Sequence, residues 1–198
     1  MVDLRISSAR LIPYTIRLSA GSIAGRERTG RLVRLETSDG NVGWGDTAPL
    51  LEFSRETIDD VDKSWETLSA KVSGGRKLVW DQNEPWRMSV ELGTPSCPSL
   101  TFGLEQALTG LTADILGIRS SDVIAPGWHS TVQIAGLITG SGERALEQAR
   151  SLANHGYRAL KIKVGRHDLG REAETVLAIR AVVGDDVELR LDANRAWT

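Results

Sequence analysis

Two short stretches near the end of the 198-residue chain carry residue types suited to proton transfer and metal chemistry. In Ala159-Leu160-Lys161-Ile162-Lys163-Val164-Gly165, lysines alternate with apolar residues. In Leu189-Arg190-Leu191-Asp192-Ala193-Asn194, a guanidinium, a carboxylate and a carboxamide do the same. A strand sends alternate side chains to opposite faces, so Lys161 and Lys163 share one face, and Arg190, Asp192 and Asn194 share another. A lysine is a poor base at its free pKa of about 10.4. A second ammonium two residues away on the same face disfavours the charged form and makes the lysine a proton acceptor near neutrality. A carboxylate on the neighbouring strand would hold a divalent cation, which stabilises the enediolate formed when a proton leaves the carbon beside a carboxylate. Spacing alone leaves a second reading open. K-x-K and D-x-N are short, frequent patterns, and they also form the solvated or ion-paired end of an ordinary sheet.

The elements around these stretches read β-α-β-α-β. Val132 to Ile138 is a continuous apolar run, as expected of a strand buried on both faces. Ser141 is placed to cap a helix bearing Ala145, Leu146, Ala149, Leu152 and Ala153 and closed by Gly156. The lysine strand follows. Asp168 then opens a helix with Val176, Leu177, Ile179 and Val183, ended by Gly184, before the Asp192 strand. Helix-length crossovers make the strands parallel neighbours, with Lys161, Lys163, Asp192 and Asn194 just ahead of their loops, where barrel enzymes place catalytic groups. Three parallel strands cannot close an eight-stranded barrel, which typically takes about 250 residues. The expectation is therefore an incomplete β/α barrel, the front portion of a longer protein.

The preceding residues have a different texture. Residues 4–20 suit an edge or bent strand interrupted by Pro13, and Ser19 to Gly25 reads as a loop. Arg31 to Thr37 alternates like a half-buried strand and turns through Ser38-Asp39-Gly40-Asn41 into Val42-Gly43-Trp44-Gly45. Ser54 is a plausible N-cap for a helix with Ile58, Val61, Trp65, Leu68 and Val72 on one face, stopped by Gly74-Gly75. Prolines 85, 95 and 98 obscure residues 76–97. Pro98 to Gly117 then forms a second helix through Phe102, Leu104, Leu108, Leu111 and Ile115. The chain thus divides into an α+β domain over residues 1–125 and an α/β region over 126–198.

Composition bounds the function. Twenty-four basic against 26 acidic residues give a net charge of −2, with no basic surfeit for nucleic acid or an anionic membrane. No stretch approaches the roughly twenty apolar residues of a membrane span, and charges near the N-terminus break any signal-peptide run. A cytoplasmic location is expected. The single cysteine, Cys97, excludes an internal disulfide and reads as a packed thiol. Gly136 to Gly142 lacks phosphate-loop spacing and reads as a βα connection. His129, His155 and His167 show no metal-ligand spacing, and most of the six tryptophans fall within apolar patterns that suggest core.

Several segments resemble the enolase superfamily in its muconate-lactonising branch, which joins an α+β capping domain to a β/α barrel with K-x-K and D-x-N ending the second and third barrel strands. The resemblance is narrower to the o-succinylbenzoate synthase family. It rests on Gly43-Trp44-Gly45-Asp46 running on to Pro49 and Phe53-Ser54-Arg55-Glu56-Thr57, on Pro98-Ser99 to Leu108, on Leu160 to Gly165, and on Leu189 to Trp197. It implies Lys163 as the base that takes the α-proton, Lys161 as its electrostatic partner and Asp192 as the first Mg²⁺ ligand. It also implies Asn194 supporting that site and Arg190 orienting the ligand or the substrate, a small carboxylate. Loops near residues 19–27 and 46–54 would close over the substrate, although Asp46 stands where a glutamate is more usual. The implied reaction is elimination of water. The same superfamily offers racemisation of N-acylamino acids or epimerisation of dipeptides as an alternative, and a non-catalytic truncated fragment is a third. The family's further acidic ligands and second catalytic lysine come from later strands, so these 198 residues alone are expected to be inactive.

Overall fold

The computed structural model describes residues 2–17, 27–50, 53–73, 77–81, 87, 97–129, 131–194 and 196–197. They form two compact units, Met1–Trp128 and His129–Thr198.

In the first unit, strands β1 (Val2–Arg17), β2 (Glu27–Thr37), β3 (Val42–Thr47) and β4 (Lys77–Trp80) form an antiparallel sheet in the order β3-β2-β1-β4. Pro13 lies inside β1, opposite Arg31. Among the described residues β4 pairs only with residues 2–5, so one side of β1 carries no ladder at residue 13, a setting in which proline is accommodated. Helix α1 (Ile58–Val72) buries Val61, Trp65, Leu68 and Val72, successive positions on one face. Its cap is Thr57 rather than Ser54. Thr57 and Asp60 form a reciprocal capping box, while the Ser54 hydroxyl accepts from the Leu50 N–H. Helix α2 (Pro98–Leu116) starts with proline at its first turn and ends at Gly117 in the left-handed conformation. Leu100, Leu104, Leu108 and Leu111 of α2 join Ile6, Val33, Leu35, Cys97 and the α1 face in one core. The Cys97 thiol is buried there, and burial pushes its pKa up, as suits a packed, unreactive thiol. Phe102 does not join this core and is 58% exposed. A one-turn helix α3 (Ser120–Ile124) closes the unit.

Gly43 and Gly45 let β3 lie backbone to backbone on α2. A Cβ at Gly45 would collide with the Gly103 carbonyl oxygen, and one at Gly43 with that of Ala107. Of the six tryptophans, Trp65 is buried and two are surface residues. Trp44 is half exposed beneath the Arg34 guanidinium, and Trp197 is also exposed. Trp80 and Trp86 lie outside the residues whose side chains are described.

The second unit is a parallel three-stranded sheet in the order β5-β6-β7: β5 (Gly136–Ile138), β6 (Ala159–Lys163) and β7 (Glu188–Asp192). Helices α4 (Glu143–Asn154) and α5 (Leu169–Val183) make the crossovers. The expected strand from Val132 is confined to three residues. Gly136 pairs with Leu160 and β6 begins at Ala159, so among the described residues the earlier ones have no ladder to join, and Val132 and Ile134 are exposed. Nor is β5 buried on both faces, since Leu137 is 47% exposed. Gly142, not Ser141, is the N-cap of α4, without a side-chain bond. Asp168 caps α5 by accepting from Arg171 N–H, and Gly184 ends it. Ile138, Leu160, Ile162, Val164, Ala145, Ala149 and Ile179 form the core of this unit.

Candidate active site

Strand register decides which polar groups meet. Lys161 pairs with Arg190 and Lys163 with Asp192, and in a parallel ladder paired residues project to the same face. Leu160 and Ile162, on the opposite face, are anchored in the core. The lysines of β6 and the carboxylate of β7 therefore stand side by side on the face away from that core, at the carboxyl ends of the strands.

The carboxylate is shared. Asp192 Oδ2 lies 2.7 Å from Lys161 Nζ and 2.5 Å from Lys163 Nζ. Its Oδ1 accepts the Asn194 backbone N–H at 3.0 Å. Lys163 Nζ also donates to Asn194 Oδ1 at 3.1 Å. Asn194 reaches back by adopting a positive φ of 46°, a conformation asparagine tolerates better than most residues. The Lys161 bond first, then the Lys163 bond and the Asn194 N–H, hold the Asp192 carboxyl well below the usual carboxylate range. The sequence spacing suggested two ammoniums repelling each other. The structure adds a negative charge between them that offsets that repulsion. Lys163 and Asp192 are each about one-fifth exposed, and Lys161 is 44% exposed, so the cluster remains open to a ligand.

Arg190 lies on the same strand face and is not brought into this cluster. Its guanidinium forms two 2.9 Å bonds with both oxygens of Glu188. Asp46, at the end of β3 in the first unit, has a local partner of its own. Its carboxylate accepts the Tyr14 hydroxyl at 2.6 Å, and burial together with that bond pushes the Tyr14 phenol up to about 12. Of the loops expected over a substrate, residues 18–26 and 51–52 lie outside the described residues, as does Arg195.

For a magnesium ion, Asp192 and Asn194 offer oxygen donors of the right chemical type. Among the described residues, no group of three or more His, Cys, Asp or Glu side chains is placed to hold a metal. Asp192 thus fits as one ligand of such a site, and the described residues do not complete it.

One contributor escaped the sequence reading. Glu172, near the start of α5, accepts the backbone N–H groups of Gly165, Arg166 and His167, in the loop directly after Lys163. These bonds hold its carboxyl below the ordinary range. No helix of the described residues is long and apolar enough to cross a membrane.

Comparison with known proteins bears on this geometry. Residues 6–111 match the family described as MenC, N-terminal domain, and residues 144–198 match Enolase C-terminal domain-like. An o-succinylbenzoate synthase of Yersinia enterocolitica is 31% identical over 195 residues, covering 96% of this chain and 51% of that protein. The L-Ala-D/L-Glu epimerase of Bacillus subtilis is 25% identical, covering 100% and 54%. Among solved structures, the dipeptide epimerase of Enterococcus faecalis V583 superposes with a TM-score of 0.81 at 24% identity, over 98% of this chain and 54% of that one. A muconate cycloisomerase of Pseudomonas fluorescens gives 0.80 at 21%, over 100% and 53%. The chain spans about half the length of the curated relatives it matches. The family matches cover both units in chain order, and the chain belongs to the enolase superfamily, with an N-terminal region of the MenC type.

Proposed function

We propose that this chain carries the proton-transfer half of an o-succinylbenzoate synthase-type dehydratase of menaquinone biosynthesis, its parallel unit forming the first strands of a β/α barrel. The observation that carries the reading is the convergence of Lys161 and Lys163 on Asp192 at the carboxyl ends of adjacent parallel strands. The substrate would be 2-succinyl-6-hydroxy-2,4-cyclohexadiene-1-carboxylate. Lys163 Nζ takes the proton from the ring carbon bearing the carboxylate, leaving an enediolate. Lys161 contributes positive charge beside that carboxylate. The Lys163 ammonium then returns its proton to the departing hydroxyl on the same face, so that water leaves and the ring becomes aromatic. Asp192, supported by Asn194, would hold Mg²⁺, whose chemistry when bound is to stabilise negative charge on the substrate carboxylate. Arg190, on the same face, would orient the substrate only after exchanging its Glu188 partner.

A second reading, a dipeptide epimerase, is favoured by the 25% identity to the Bacillus subtilis enzyme and uses the same lysines. The higher identity to the Yersinia synthase and the MenC-type N-terminal region support the first. The test is turnover by the complete protein with Mg²⁺ against the cyclohexadiene substrate and a panel of dipeptides and N-acylamino acids. Lys163→Ala is expected to lower kcat on the order of 10²–10⁴-fold, the usual contribution of a general base. Wild-type turnover by that variant refutes Lys163 as the base, and turnover of dipeptides alone selects the epimerase.

A further inference from the structure

The loop that follows Lys163 is gripped from two sides, and only one grip involves the residues already assigned. On the sheet side, Val164 N–H donates to the Asp192 carbonyl oxygen at 3.0 Å. Gly165, at φ +82°, lies against Ala193, next to Asn194, and against Ala196. A Cβ there would run into the Ala196 side chain and come within 3.3 Å of the Ala193 carbonyl oxygen. On the helix side stands Glu172, 8% exposed. Its Oε2 accepts Gly165 N–H at 2.9 Å, and its Oε1 accepts Arg166 N–H at 2.7 Å and His167 N–H at 3.0 Å.

The preceding connection shows what an ordinary loop of this unit needs. In the β5–α4 loop, Gln148 reaches back from its helix in the same manner, and its single Oε1 accepts Thr139 N–H at 3.1 Å and Gly140 N–H at 3.0 Å. An amide oxygen is enough for two N–H groups. The β6–α5 loop presents three, splayed so that one oxygen takes two and the other takes the third. That demands two acceptor oxygens, which an ionised carboxylate has and an amide lacks. A carboxylate is therefore used at the one connection that begins two residues after Lys163.

We propose that Glu172 is a positioning residue for Lys163: by fixing the 165–167 backbone against Ala193 and Ala196, it sets where Lys163 Nζ stands relative to Asp192 and Asn194. This rests on Lys163 being the base. In Glu172→Gln, one oxygen still serves two N–H groups, but an NH₂ then faces Gly165 N–H, donor against donor, and the loop must withdraw. A misplacement of about 1 Å at a reacting group costs on the order of 10²-fold in rate.

The experiment compares the complete wild-type protein with Glu172→Gln in two arms. With substrate deuterated at the α-carbon, kcat is expected to fall about 10- to 100-fold with KM unchanged, while the deuterium isotope effect on kcat rises because proton transfer has slowed. A variant that is merely less folded lowers kcat without moving the isotope effect, and that result overturns the proposal. The second arm needs no substrate. Brief acetylation by acetic anhydride, read by mass spectrometry, is expected to raise labelling of Lys163 relative to Lys161 several-fold, because Lys161 keeps Asp192 while Lys163 is displaced. An unchanged ratio overturns the proposal. If the wild-type protein turns over none of the substrates tested, the proposed function fails, and the labelling ratio alone decides the role of Glu172.

Discussion

Gly45→Ala and Gly110→Ala make the same chemical change on opposite sides of the β3–α2 contact, and the structure gives them opposite signs. At Gly45 the new methyl collides with the Gly103 carbonyl oxygen, sits 2.7 Å from that carbonyl carbon and 3.0 Å from the Ala107 backbone nitrogen. Every obstacle is backbone. β3 is held by its ladder to β2, Val33 opposite Gly45, and α2 is a continuous helix, so no flexible side chain can yield. Relief requires α2 to back away and loosen Leu100, Leu104 and Leu108 in the core beneath it. Overpacking of this kind costs about 1–3 kcal/mol, and a contact with nothing soft in it belongs near ~3 kcal/mol. At Gly110, inside α2, the nearest atom to an added Cβ is the Trp44 nitrogen at 3.6 Å, an ordinary contact. Alanine there should gain about 0.5–1 kcal/mol from helix propensity and a less flexible unfolded chain. Urea unfolding followed by far-UV circular dichroism is the assay. With an m-value of about 2 kcal/mol per molar, Gly45→Ala should move its midpoint down by about 1.5 M and Gly110→Ala slightly up. A Gly45→Ala midpoint equal to wild type, or shifts of the same sign, would refute the backbone-contact argument.

Two further outcomes are expected of the 198-residue chain. Titration calorimetry with Mg²⁺ should detect no binding tighter than about 1 mM, because one carboxylate already shared by two ammoniums is a poor start to an all-oxygen shell; a micromolar site would show that the described residues hold the ion unaided. Asp192 and Glu172 both have carboxyls held below the ordinary range in the folded chain, so their stabilising effect is full above the unfolded pKa of about 4 and lost as pH falls through the folded values. The urea midpoint should therefore drop on acidification below about pH 4, less steeply in Glu172→Gln, and identical slopes would count against the Glu172 contribution.

What was legible in the sequence followed from periodicity and covalent spacing. Alternation put Lys161 and Lys163 on one face, the helix-length insert made β6 and β7 parallel neighbours, and together these implied that the lysines and Asp192 would converge. Gly117, Asp168 and Gly184 were readable as helix ends because their side chains, or the lack of one, do the capping. The misses share a physical cause: each depended on a partner whose position spacing does not encode. Val132 and Ile134 are apolar enough for a strand, but a strand needs a ladder, and β6 begins too late to supply one. Thr57 outcompeted Ser54 as a cap because Asp60 completes a reciprocal pair. Arg190 lies on the expected face yet is claimed by both carboxylate oxygens of Glu188, two residues back on its own strand, while the Asp192 carboxylate is taken by the two lysines.

Glu172 is the most instructive of these cases, because its partners are three backbone N–H groups, which have no signature in a sequence. The signal available was its place near the start of α5, where a carboxylate is favoured by the helix N-terminus in any protein, and that generality hides a particular use. The meeting of Lys163 with Asp192 was readable from side chains spaced two apart. The grip on the loop after Lys163 lies in which backbone N–H groups that loop leaves over, and those are set by its path in space rather than by residue spacing.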